Sequence, residues 1–234
     1  MIEVYPNIFM QVFPLTNNPL REINIFVIKT KDLNMIIDTG FNNDENRQNM
    51  DDLINELDLD LSKTILFLTH LHSDHVGLAY YLQEKGIKQI YLSNVDGKLL
   101  ETGSSVNGKQ WQIILNNAYR QGLSVDNLDI NQHPGYKNRP QKMFNYIGVN
   151  VGDIIEIGDF KFEIIDEKGH TPGMVGLYEK DLGILFCGDH ILAKITPNIT
   201  DWGLEYGDML ASYLDRLNKV KSLNIKHLFS AHCF

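Results

Sequence analysis

The segment Thr69-His70-Leu71-His72-Ser73-Asp74-His75-Val76-Gly77 constrains this chain more than any other. It packs three imidazoles and a carboxylate into six positions. They follow directly on the apolar run Thr64–Leu68, which reads as a strand covered on both faces. In an extended chain a period of two sends His70 and His72 to one side, and a turn into a following helix brings Asp74 and His75 round from another. Such an arrangement can serve two adjacent metal positions. Imidazole together with carboxylate suits zinc, and also iron or manganese. A surface cluster of histidines is the plain alternative, but chance is a poor account of four ligand groups placed behind a buried strand.

One segment cannot close two coordination shells, so further ligands must come from elsewhere, ideally from strand ends where a rigid sheet holds them. Three places fit. Phe160–Ile165 runs into Gly169-His170-Thr171-Pro172-Gly173, Ile184–Cys187 into Gly188-Asp189-His190, and His227–Phe229 into Ser230-Ala231-His232. Each is a predicted strand followed by a turn of small residues that carries a ligand-type side chain.

The rest of the chain alternates strand and helix. Ile23–Lys29 and Met35–Ile37 read as a hairpin ending at Asp38-Thr39-Gly40. Asp51–Leu57 and Val76–Lys85 have helical spacing, the second closed by Gly86, and Gln89–Leu92 reads as another buried strand. Strands are predicted again at Ile154–Ile157 and Val175–Tyr178, and an amphipathic helix over Tyr206–Lys221. This rhythm predicts a layered α/β fold. Residues 101–150 interrupt it with one helical stretch, Trp111–Arg120, and the aromatic residues Trp111, Tyr119, Tyr136, Phe144 and Tyr146. They read as an insertion over one end of the sheet, within a single domain spanning residues 1–234. There is no internal repeat and no linker.

Composition removes several classes of function. Thirty acidic against 21 basic residues leave a net charge of −9, which repels polyanions and makes nucleic acid a poor partner. No apolar run approaches the ~18 residues of a membrane span. Two cysteines and the lack of a secretory signal point to a reducing cytoplasm, and the acidic composition gives no reason to invoke a polymer, so a small-molecule substrate is expected. Oligomeric state leaves no signal.

The ordered set Asp38-Thr39-Gly40, His70-x-His72-x-Asp74-His75, Gly169-His170, Gly188-Asp189 and His232 resembles the metallo-β-lactamase-fold hydrolase superfamily over nearly the whole chain, with the ligand set of its glyoxalase II-like and lactonase-like members. The resemblance implies an αββα sandwich of four layers with metals at one edge between the sheets. It implies that His70, His72 and His170 bind one divalent ion, that Asp74, His75 and His232 bind another, and that Asp189 bridges them. Zinc is the first choice, iron or manganese the alternatives. Relatives usually have glycine after the last histidine, where this chain has Cys233 and Phe234. Those sharing Gly188–Leu192 and Thr196–Asn198 generally continue into a further small domain, so a C-terminal domain absent from this chain is an expectation.

Two dications about 3.5–4 Å apart can share a hydroxide formed near neutral pH. The implied reaction is attack of that hydroxide on an ester, thioester or lactone bond, with Asp74 orienting it and taking its proton. Asp38 is expected to hydrogen-bond the metal-binding loop rather than act as an aspartic-protease carboxylate, since Asp-Thr-Gly occurs once and that chemistry needs two copies. Thr69 and Thr171 flank ligands and are expected to support them or to shape turns. His190 either faces the pocket as a proton donor or packs in the end of the sheet. The rival readings are a metal-dependent phosphodiesterase or nuclease, which a basic groove would favour, and a non-catalytic metal-binding regulator.

Overall fold

In the computed structural model, which describes residues 1–124 and 128–232, the described strands form two sheets. Cys233 lies outside the described residues. The first sheet runs in chain order: β1 (Ile2–Tyr5), β2 (Ile8–Pro14), β3 (Glu22–Ile28), β4 (Asn34–Ile37), β5 (Thr64–Phe67), β6 (Ile90–Ser93) and β7 (Ile147–Val149). The second comprises β8 (Ile154–Ile157), β9 (Phe160–Asp166), β10 (Val175–Glu179), β11 (Ile184–Phe186) and β12 (His227–Phe229), ordered β12-β11-β10-β9-β8.

Strand alternation explains the layering. Along β3, Phe26 and Ile28 point into the core between the sheets, while Ile23, Ile25 and Val27 point to the outer face. β5 does the same, with Ile65 and Phe67 inward and Leu66 outward. From the second sheet Phe162, Ile164, Leu177 and Phe186 fill the shared core, and Tyr178, Leu185 and Cys187 face out. Truncating a side chain such as Phe162 to alanine there costs about 3–5 kcal/mol. Both outer faces need cover. Helices α1 (Asp44–Glu56), α2 (Ser73–Val76), α3 (Ala79–Lys85) and α4 (Asn94–Gly103) bury Met50, Leu53, Val76, Leu82 and Leu99 against the first sheet. Helix α7 (Met209–Lys221) sets Val220 on the second. Helix, sheet, sheet, helix is the αββα order expected.

Direction then decides where function can sit. β4, β5, β6 and β7 are parallel neighbours, so the carboxyl ends of β4, β5 and β6 share one edge and deliver Asp38, the loop from Thr69, and the start of α4. In the second sheet β11 and β12 are parallel, with Phe186 opposite Phe229, and β9 runs the same way two antiparallel steps from β11. Their carboxyl ends deliver Asp189, His232 and His170. Ligands of parallel sheets bind outside such carboxyl ends.

Three expectations change. The single helix predicted over Val76–Lys85 starts earlier, at Ser73, and is broken after Val76. Thr39 causes the break: its hydroxyl donates to the His75 carbonyl at 2.8 Å and accepts the Leu78 N–H at 3.0 Å, while the Asp74 carbonyl accepts from Gly40 N–H at 2.8 Å. Those groups are lost to the i→i+4 ladder. Gly77 is required at this crossing, since a Cβ there would lie 2.4 Å from the Gly40 carbonyl oxygen. Next, the interruption expected at 101–150 is an enlarged crossover between β6 and β7, and its last strand belongs to the first sheet. It contains α4, hidden in the sequence by the poor helix formers Gly97 and Gly103, as well as α5 (Lys109–Arg120) and α6 (Pro134–Lys137). Finally, α7 begins at Met209, and two of its apolar residues, Leu210 and Leu214, are half exposed at 56% and 50%. No helix among the described residues is long and apolar enough to cross a membrane.

Candidate metal centre

The edge described above gathers seven predicted ligands from four loops. Leaving β5, the chain carries His70 and His72 on the bend before α2 starts, with His72 in extended backbone at the helix N-cap. One turn of α2 then supplies Asp74 and His75. Imidazole nitrogens of three residues converge: His70 Nε2 lies 3.0 Å from His72 Nδ1, and His170 Nε2 lies 2.9 Å from the same atom. A second set joins Asp74, His75 and His232, with His232 Nε2 3.5 Å from Asp74 Oδ2 and His75 Nε2 4.0 Å from it.

Asp189 stands between the sets. Its Oδ1 is 3.4 Å from His75 Nε2 and 3.3 Å from His232 Nε2, and its Oδ2 is 3.4 Å from His170 Nε2. Except for His72, which is half-buried, every one of these side chains is buried.

Outer partners decide which ring nitrogen faces inward. His75 Nδ1 donates to Asp38 Oδ2 at 2.8 Å, His170 Nδ1 to the Asn198 carbonyl at 2.7 Å, and His232 Nδ1 to the Glu22 carbonyl at 2.6 Å. Each Nε2 is thereby left with its lone pair aimed at the cluster. Buried polar atoms are normally satisfied, yet His75 Nε2, His232 Nε2 and Asp189 Oδ1 have no hydrogen-bond partner among the described residues. Cations placed among them would satisfy all three, so the donor set fits divalent metal.

The electrostatics match that fit. Burial, reinforced by neighbouring imidazoles, holds His70 and His72 well below the usual histidine range, in the neutral form a metal needs. Burial would lower His75 too, but the carboxylates of Asp38, Asp189 and Asp74 outweigh it and raise this ring well above that range. His232 is raised in the same way by Asp189 and Asp74 against its burial. Asp189, which burial alone would raise, is held well below the carboxylate range by His232 and His75. A buried anion between two imidazoles with raised affinity for protons is a place for positive charge.

Asp38 and Thr69 sit directly behind the predicted ligands. Asp38 Oδ1 accepts the Thr69 N–H at 2.9 Å and Oδ2 accepts its hydroxyl at 2.9 Å, so one carboxylate grips both His75 and the start of the histidine loop. Thr171 donates to Asp96 Oδ2 at 2.6 Å. His190 packs elsewhere: it is fully buried, its ring 5.1 Å from that of Tyr213 on α7, and neither ring nitrogen has a hydrogen-bond partner among the described residues. Burial depresses it to about 4, and it does not line the cavity at the metal centre.

Asp96 was not anticipated. From the first turn of α4 its Oδ2 also accepts the Leu71 N–H at 3.0 Å, and its Oδ1 accepts the Gly173 N–H at 2.7 Å. It therefore clamps the loop of His70 and His72 to the loop of His170. Gly173 permits this closeness, because a Cβ there would come within 2.6 Å of Asp96 N and Oδ1. Burial raises the Asp96 carboxyl to about 6 in spite of its three donors. A signal existed in Ser93-x-x-Asp96, a capping pattern in which the Ser93 hydroxyl accepts the Asp96 N–H at 3.1 Å. Trp202 is a second unanticipated support, its indole N–H donating to the His170 carbonyl at 3.1 Å.

Comparison with known proteins agrees with this geometry. A family model described as Metallo-beta-lactamase superfamily matches residues 18–232. The chain is 35% identical over 136 residues to hydroxyacylglutathione hydrolase GloC of Haemophilus influenzae, covering 58% of this chain and 52% of that one. It is 25% identical over 137 residues to the human acyl-coenzyme A thioesterase MBLAC2, covering 57% and 42%. The matched region thus spans about half the length of these relatives or less. Among solved structures, a metallo-beta-lactamase family protein of Thermus thermophilus superposes with a TM-score of 0.82 at 20% identity, over 99% of this chain and 75% of that one.

Proposed function

Because the chain belongs to the metallo-beta-lactamase superfamily, we propose that it is a hydrolase that uses two divalent metal ions, zinc in the first place, to cleave an acyl thioester, ester or lactone bond of a small substrate. His70, His72 and His170 would hold one ion, Asp74, His75 and His232 the other, and Asp189 both. One observation carries this reading: the two oxygens of Asp189 face different sets of imidazoles. Bound there, the ions would supply Lewis-acid polarisation and a water that ionises near neutral pH.

The chain's own residues supply position and proton handling. Asp74 Oδ2, beside His232 Nε2 and at the wall of the cavity, is the acceptor for the proton released when water attacks. Asp38 and Asp96 hold the loops so that the ligands need not reorganise during reaction. Thioesters come first among the substrates because the relatives above are named for a hydroxyacylglutathione and an acyl-coenzyme A. We place the reaction in the cytoplasm, in keeping with a chain that has two cysteines, one of them, Cys187, buried and free.

The test is turnover of a panel of thioesters, lactones, phosphodiesters and β-lactams by zinc-loaded protein. The expected result is hydrolysis of acyl substrates that is lost on chelation and restored by zinc. Turnover confined to phosphodiesters would replace this reading with its nuclease rival.

A further inference from the structure

A cavity of about 770 Å³ opens onto His72, Asp74, His170 and Asp189, within the size range of small-molecule sites. Its remaining lining comes largely from the crossover between β6 and β7. One face of α5 runs along it, with Gln110, Ile113, Ile114, Asn117 and Ala118 spaced at three and four residues and Gln121 following at the C-cap. Ile113 and Ile114 are only half-buried, and the surface they leave uncovered lines this cavity. Leu20, Phe41, Leu123 and Met143 extend the apolar surface.

Its charges are sorted in a way the chain as a whole is not. The only carboxylates lining the cavity among the described residues are Asp74 and Asp189, both in the donor cluster, whereas its other full charges are the cations Arg139 and Lys142. In a chain with nine more acidic than basic residues this is a local reversal of sign. Among the described residues neither cation pairs with a carboxylate. The Arg139 guanidinium instead lies 3.6 Å from the Tyr136 ring centroid and donates to the Tyr136 carbonyl at 2.6 Å, and Lys142 stands 5.6 Å from the Tyr80 ring centroid. Arg139 is held from a second side, its own carbonyl accepting from Asn42 Nδ2 at 2.9 Å. Lys142 is exposed and Arg139 half-buried, which places the pair on the solvent side of the cavity.

We propose that the substrate is an anionic amphiphile: an apolar acyl or alkyl chain lies along α5 against Ile113, Ile114 and Ala118, and Arg139 with Lys142 holds an anionic group, phosphate or carboxylate, at the other end of the molecule. The proposal deepens the hydrolase reading and rests on it. It assigns selectivity for chain length to α5 and selectivity for charge to two cations that touch no metal ligand. A planar guanidinium fork prefers an anion with several oxygens.

Both tryptophans of the chain, Trp111 and Trp202, line the cavity, so intrinsic fluorescence reports its occupancy. Titrating zinc-loaded protein with octyl phosphate, octanoate and octanol separates the two halves of the proposal. At least one of the two anions is expected to bind about tenfold or more tightly than octanol, and the stronger of them identifies the headgroup. In Arg139→Gln/Lys142→Gln that advantage is expected to fall to about twofold or less, and Ile114→Trp or Ala118→Phe, each checked for native folding, is expected to weaken all three ligands. Equal binding of octanol and both anions, an anion preference that survives in the double variant, or binding unaffected by both α5 variants would each overturn the proposal. If the protein hydrolyses no acyl substrate the hydrolase reading fails, and the titration still decides this one.

Discussion

The carboxylate of Asp38 and the ring of His75 are joined by a 2.8 Å hydrogen bond in which Asp38 Oδ2 accepts from Nδ1, although both side chains are buried. The bond orients His75 Nε2 toward Asp189 and helps raise the affinity of the ring for positive charge. Asp38→Asn keeps the shape and removes the charge, so it is expected to weaken metal at the His75 side by about 10- to 100-fold. Competition with a chromophoric chelator measures this, and unchanged affinity would show that Asp38 serves the fold alone.

Asp96 accepts from three donors that make no other hydrogen bond among the described residues. Asp96→Ala strands the Leu71 and Gly173 N–H groups and the Thr171 hydroxyl, at about 1–3 kcal/mol for each buried group left unsatisfied. The expected outcome is a lower melting temperature together with a changed visible spectrum of the cobalt-substituted protein, because the His70 and His170 loops are no longer tied. A spectrum that stays the same while stability falls would confine Asp96 to a structural role.

Metal content tests the pairing of the two donor sets. Elemental analysis after metal loading is expected to approach two ions per chain, and chelation to lower the melting temperature, since metal at 1,000 times its dissociation constant adds about 4 kcal/mol to the folded state. Saturation at one ion would remove the shared role of Asp189.

Asp74→Asn removes a ligand charge and the proton acceptor at once. Turnover is expected to drop by several orders of magnitude while circular dichroism and at least one bound metal persist. Near wild-type rates would take Asp74 out of the mechanism.

Glu167 gives a prediction about pH. Its carboxyl is fully buried with neither oxygen hydrogen-bonded among the described residues, and burial, with the charge of Asp166, pushes it well above the usual carboxylate range. The folded chain keeps a proton that the unfolded chain releases near pH 4.3, so the contribution of this group to stability is complete below that pH and drains away as pH rises toward the folded value. Glu167→Gln cannot ionise. Relative to the native chain it is expected to raise the urea midpoint more at pH 8 than at pH 5, and an equal change at both would count against a protonated Glu167.

The predicted ligand residues were legible because chemistry and local structure coincide in them. His70 to His75 follow an unbroken apolar strand, and His170, Asp189 and His232 each follow a strand and a small-residue turn, so pattern and family resemblance agreed on the αββα order. What was missed depends on partners distant in sequence. Asp96 acts on the N–H groups of Leu71 and Gly173, and no pattern of side chains shows where a backbone donor points. The break between α2 and α3 comes from Thr39, some 36 residues earlier than the carbonyl it captures. The wall of the cavity was obscured because α4 carries two glycines, and because the stretch between β6 and β7 closes back onto the sheet through a strand of three residues, Ile147–Val149.

Residues 230–232 are gripped by β3, with Asn24 N–H donating to the Ala231 carbonyl at 2.7 Å, Asn24 Nδ2 to the Ser230 carbonyl at 3.0 Å, and the ring of His232 tied to Glu22, 210 residues away. A ribosome adding about 5–20 residues per second takes on the order of 10–40 s to travel that distance. During the interval His70, His72 and His170 can already meet, while Asp74 and His75 wait for their third partner. Of the seven predicted ligands, the last to be synthesised is also the clasp that joins the loop after β12 to β3.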